Sequence, residues 1–96
     1  MTRVSILQIG FGNMGRKWTD YLLKSAQFEL KGIAETSADA RAQAKSEFGI
    51  NTYSSLEEAL RNVHFDAVLI VTPPKSHGAI AEAALTSGKH VLTEKP

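Results

Sequence analysis

The sequence contains no cysteine. Disulfides, iron–sulfur clusters and cysteine-ligated zinc are excluded, and the chain suits a cytoplasmic compartment without requiring one. Long hydrophobic runs are missing too. The longest, Ala67–Val71, falls far short of the roughly 20 apolar residues of a membrane helix. The apolar start Val4–Ile9 is broken by Ser5 and Gln8 and runs into glycine, which is not the pattern of a secretory signal. No sign of charge dominates: 11 Lys and Arg face 10 Asp and Glu, for a net charge of +1. The basic residues are scattered, with no run longer than Arg16-Lys17. Neither nucleic acid nor an anionic membrane is expected as a partner. His64 and His90 have no constellation around them, and no two histidines have metal-ligand spacing, so no metal is expected. There is no internal repeat and no low-complexity segment.

What is present suits one globular domain: 96 residues, 43% of them hydrophobic and 22% charged. Strand-like and helix-like stretches alternate, which predicts a parallel sheet with helices on both faces. Val4–Ile9 and Phe28–Ala34 read as the first two strands and Asn51–Tyr53 as a short third. Ala67–Val71, continuous and apolar, suits a central strand buried on both faces. His90–Thr93 reads as the fifth strand.

The first helix is predicted over Met14–Lys24, with Met14, Trp18, Tyr21 and Leu22 as its core stripe. Asp39–Phe48 forms the second helix, with Ala40, Ala44 and Phe48 inward and Gly49 as its stop. Ser55 and Glu58 have capping-box spacing before a short helix ending near Asn62. His77–Ser87, stopped by Gly88, completes the set. Right-handed crossovers give a strand order of 3-2-1-4-5, a Rossmann-type doubly wound α/β fold.

The first strand runs into Gly10-Phe11-Gly12-Asn13-Met14-Gly15. A G-x-G-x-x-G pattern between a strand and a helix is the dinucleotide-binding arrangement. Gly10 makes the tight turn, Gly12 lets the pyrophosphate approach the backbone, and Gly15 allows close packing of the helix. Free amides and the positive end of the helix dipole then face the phosphates. Glu35 lies 20 residues beyond Gly15, at the end of the second strand. A carboxylate there can accept from the adenosine ribose 2′-OH and would repel a 2′-phosphate, which points to NAD. Thr36, Ser37 and Arg41 can accommodate that phosphate if Glu35 turns away. NADP therefore stays open, as does a plain solvated carboxylate at Glu35.

From Asp66 the pattern narrows further. Asp66-Ala67-Val68-Leu69-Ile70-Val71-Thr72-Pro73-Pro74, His77, and Gly88-Lys89-His90-Val91-Leu92-Thr93-Glu94-Lys95-Pro96 follow the glycine loop in order. Together they closely resemble the Gfo/Idh/MocA family of glucose–fructose oxidoreductase, inositol dehydrogenase and related sugar dehydrogenases. The resemblance covers essentially the whole chain. It implies that Thr72, Pro73 and His77 lie near the nicotinamide half of the cofactor. It also implies that Glu94 contacts the nicotinamide ribose and that Lys95 positions and polarises the reacting carbonyl or hydroxyl. From spacing alone, Lys95 reads as a solvated terminal lysine, and His77 as a polar residue opening a helix.

Enzymes of the family carry a second α/β domain. It supplies the substrate pocket, usually with an aspartate and a histidine that handle the proton. The expectation is therefore that residues 1–96 form a single NAD(P)-binding domain, the N-terminal fragment of an enzyme moving hydride between a nicotinamide and a sugar, cyclitol or related polyol. Two other readings stand beside it. One is a stand-alone module that binds or senses dinucleotide without turnover. The other is a fragment that binds nothing and forms a homo-oligomer through the exposed edge of its fifth strand.

Overall fold

The computed structural model describes residues 3–72 and 77–93. Nine elements alternate along the described residues: β1 Val4–Ile9, α1 Asn13–Lys24, β2 Phe28–Ala34, α2 Ala38–Phe48, β3 Thr52–Tyr53, α3 Leu56–Asn62, β4 Ala67–Ile70, α4 His77–Thr86 and β5 His90–Thr93. The five strands form one sheet in the order β3-β2-β1-β4-β5, and every neighbouring pair is parallel. The expected Rossmann strand order is the observed one.

Strand β4 shows why a continuous apolar run marks a central strand. Val68 and Ile70 join Leu7, Ile9 and Ala34 on one face, against Leu56 and Ala59 of α3 and Ala84 of α4. Ala67 and Leu69 join Ile6 and Leu30 on the other, against Leu22 of α1. With side chains alternating across the sheet, both sets are buried only when helices cover both faces. A third cluster, Phe11, Ile33 and Ala44, sits under α2, with Ala40 and Phe48 packed against it. The β1–β2 register slips between Ile6 and Leu7, where Leu30 and Gly32 are the successive partners and Lys31 is skipped.

The helix ends follow their side chains. Ser37 caps α2 by accepting from the Ala40 amide, and Gly49 closes it in the left-handed region. Ser55 accepts from the Glu58 amide at 3.1 Å. The reciprocal half of the expected box is displaced by one residue: Glu58 Oε1 accepts from the Ser54 amide at 2.6 Å, not from Ser55.

The core stripe of α1 differs from expectation. Its buried residues are Gly15, Thr19 and Leu22. Trp18 packs only partly against the core, and Met14 and Tyr21 are 44% and 55% exposed. The predicted stripe followed large apolar residues. The real one starts at Gly15, because the helix approaches the loop and β1 most closely there.

Candidate functional site: the crevice at the ends of β1, β2 and β4

Strand order reverses at β1, so its C-terminal end opens a crevice between β2 and β4. Ligands of open parallel sheets bind at such a point. The glycine loop fills its floor. The Gly10 amide donates to Ala34 O at 2.8 Å, tying the turn to β2. Gly10 has a φ of 105°, and a Cβ there would lie 3.0 Å from Thr72 Cγ2. Only glycine combines that left-handed backbone with so close a neighbour.

Gly15 has a different constraint. Its Cβ would sit 2.8 Å from Gly10 O. At Gly12, by contrast, a Cβ would meet nothing within 4 Å among the described residues beyond its chain neighbours. Gly12 is also the N-cap of α1, with no side-chain cap, and no acidic residue occupies the first turn. Among the described residues, the first amides of α1 thus lack a side-chain acceptor, and space is open beside Gly12. These are the elements of an anion cradle.

Phe11 divides its functions. The residue is only 4% exposed, and its ring meets Phe48 edge-on at 6.0 Å and lies under the Arg16 guanidinium. Its amide donates to Glu35 Oε1 at 2.8 Å. Asn13 and Met14 are exposed on the first turn. Arg16 also pairs with Glu47 at 2.8 Å, linking α1 to α2 across the surface.

Glu35 stands at the end of β2, where its carboxylate accepts from Phe11 and, at 2.7 Å, from the Ser37 amide. It is turned towards the glycine loop. Arg41 donates to the carbonyls of Glu35 at 2.7 Å and Thr36 at 3.0 Å. Thr36, Ser37 and Arg41 are therefore neighbours of Glu35, engaged in holding its loop.

Beyond β4, Thr72 and His77 are brought together. His77 Nε2 bonds the Thr72 carbonyl. A carbonyl only accepts, so Nε2 is the donor in this contact. Thr72 Oγ1 is buried and has no partner among the described residues. A cleft of about 420 Å³ opens beside this group. It is lined by Gly10, Glu35, Thr36 and Thr72 from the strand ends, by Ser54, Ser55 and Glu57 at the start of α3, and by Ala79, Ile80 and Ala83 of α4. Pro73, Glu94 and Lys95, named from the sequence, lie outside the described residues.

The family model described as the oxidoreductase family, NAD-binding Rossmann fold (GFO_IDH_MocA), matches residues 4–96. The chain belongs to the Gfo/Idh/MocA oxidoreductase family. Among curated relatives, the UDP-N-acetylglucosamine 3-dehydrogenase of Acidithiobacillus ferrooxidans is 36% identical over 88 residues, covering 92% of this chain and 27% of that protein. The scyllo-inositol 2-dehydrogenase (NADP(+)) of Bacillus subtilis is 35% identical, covering 92% of this chain and 29% of that protein. Among solved structures, an NAD-binding protein from Listeria innocua superposes with a TM-score of 0.88 at 35% identity, covering 99% of this chain and 28% of that one. The chain thus spans less than a third of the length of these relatives.

In this Gfo/Idh/MocA domain, two buried polar residues escaped the sequence reading of the site. Gln8 and Thr19 are both fully buried beneath the glycine loop. Their signal was weak but present: a carboxamide in a buried strand two residues before the glycine turn, and a hydroxyl four residues after Gly15. The Ser54-Ser55 wall was also missed as part of the crevice, because it reaches the site only through the crossover from β3. Among the described residues, no group of three or more His, Asp or Glu could hold a metal ion, and no helix is long and apolar enough to cross a membrane.

Proposed function

We propose that this domain holds NAD(H) along the crevice, within an oxidoreductase that moves hydride between the nicotinamide and a sugar, cyclitol or related polyol. The observation that carries the reading is the open, uncapped start of α1 over Gly12, with the Glu35 carboxylate at its flank. Gly10, Phe11, Gly12, Asn13, Met14 and Gly15 form the pyrophosphate loop. Glu35 reads the adenosine ribose and favours NAD over NADP. Thr72, whose buried hydroxyl still lacks a partner among the described residues, faces the cofactor with Pro73 and His77. Glu94 contacts the nicotinamide ribose. Hydride transfer is the chemistry the dinucleotide supplies when bound. The Lys95 ammonium stabilises oxyanion character at the substrate oxygen and carries its proton.

Residues 1–96 act as the N-terminal cofactor domain of a two-domain enzyme in this reading, with the substrate pocket built by residues outside them. The polyol class is supported by the activities of the inositol and sugar-nucleotide relatives. The enzyme is read as cytoplasmic, and the exposed β5 edge is compatible with a homo-oligomer. Calorimetric titration with NAD and NADP tests the core of the proposal. Submillimolar NAD binding that exceeds NADP binding is expected, and no binding of either would overturn it.

A further inference from the structure

The buried Gln8–Thr19 pair lies directly beneath the loop assigned above to the pyrophosphate. Gln8 Nε2 donates to Gly10 O and to Gly15 O, each at 2.9 Å. Two carbonyls can only accept, so the carboxamide has a single possible orientation. Its oxygen lies 3.1 Å from Thr19 Oγ1, which is also 2.9 Å from Gly15 O. Gly15 makes room for this arrangement, since its Cβ would stand 3.2 Å from Gln8 Nε2.

Gly10 O and the Phe11 amide belong to one peptide unit. In a planar trans peptide the C=O and N–H point in opposite directions. Pulling Gly10 O down to Gln8 therefore turns the Phe11 N–H away from the core, where it meets Glu35 Oε1 at 2.8 Å. We propose that Gln8 is the positioning residue of the site: its carboxamide, steadied by Thr19, sets the Gly10–Phe11 peptide and so holds Glu35 against the glycine loop. The inference rests on the dinucleotide reading of that loop. Gln8, fully buried, acts through the loop.

The test uses Gln8→Leu, Thr19→Val and Thr19→Ser in this chain. It reads NAD affinity by calorimetry, thermal stability, and the Phe11 amide resonance by 1H–15N NMR. In Gln8→Leu, NAD affinity should fall about tenfold or more, and the Phe11 amide proton should move upfield as its bond to a carboxylate is lost. Thr19→Val should produce the same pair of changes in smaller degree, and Thr19→Ser, which keeps the hydroxyl, should restore both. If Gln8→Leu does not fold, the Thr19 pair is judged by the same two readouts. A folded variant that loses affinity with the Phe11 resonance unmoved would overturn the proposal, as would unchanged affinity. A wild type that binds no NAD would overturn the functional reading, while the Phe11 resonance would still report on the peptide orientation.

Discussion

A Cβ at position 12 would meet no atom of the described residues within 4 Å apart from its chain neighbours, and the Gly12 backbone, at φ −100°, is open to any L-residue. Gly12→Val should therefore fold normally. Its branched side chain would occupy the space in which a pyrophosphate approaches the amides, and NAD affinity should fall at least about tenfold, roughly 1.4 kcal/mol. Calorimetry on the folded variant checks this, and equal affinity would remove the loop from the site. Glu35 carries two duties at once, because it bonds the Phe11 and Ser37 amides as well as facing the crevice. Glu35→Ser should narrow the preference for NAD over NADP by removing like-charge repulsion of the 2′-phosphate. It should also lower the absolute affinity for NAD, since the Phe11 amide loses its acceptor. Titrating wild type and variant with both dinucleotides separates the two effects. A wild type preferring NADP would transfer the assignment to Thr36, Ser37 and Arg41.

Among the elements, α1 comes directly against the glycine loop. Its contact with β1 is made through a missing side chain at Gly15 and a buried hydroxyl at Thr19. Gly15→Ala would press a methyl against Gly10 O, a backbone atom that cannot step aside without moving the loop. The gain in helix propensity, about 1 kcal/mol, is smaller than the overpacking penalty of about 1–3 kcal/mol. Net destabilisation is expected, read as a lower urea midpoint with unchanged slope. Helix α3 offers a milder case. Ser55 is its N-cap, and Ser55→Ala should cost about 1 kcal/mol by the same measurement.

For the whole molecule, binding and turnover are expected to part company. The crevice is built by the ends of β1, β2 and β4 with α3 and α4 as its wall, and the proposed reading gives all of these groups to the cofactor. Correct positioning of two reactants can be worth about 7–11 kcal/mol of a barrier, and it needs walls on the substrate side as well. The 96-residue chain should therefore bind dinucleotide without oxidising sugars or cyclitols. Incubation with NAD and a polyol panel, followed by reduced-nicotinamide absorbance, checks this. Turnover that disappears in Lys95→Ala would show a complete catalyst and overturn the two-domain reading.

The order of elements, the strand order and the glycine loop were legible in the residues because each rests on a local signal. The fully apolar stretch at Ala67–Ile70 sits between helix-covered faces, and the spacing of Gly10, Gly12 and Gly15 places two backbone requirements, at Gly10 and Gly15, around an open position at Gly12. What tertiary structure alone decided is which atoms meet. The α1 stripe moved from Met14 and Tyr21 to Gly15 and Thr19, because close approach to a strand selects small residues over large apolar ones. Glu58 reached Ser54 instead of Ser55, a choice set by the path of the chain out of β3. Gln8 looked like a polar flaw in an apolar strand. It became the centre of three hydrogen bonds because the sheet and α1 enclose it between the Gly10 carbonyl of the loop and Gly15 and Thr19 of the helix. Periodicity records which side of an element is wet. It does not record the partner of a buried polar atom, which is fixed only when residues distant in the chain close around it.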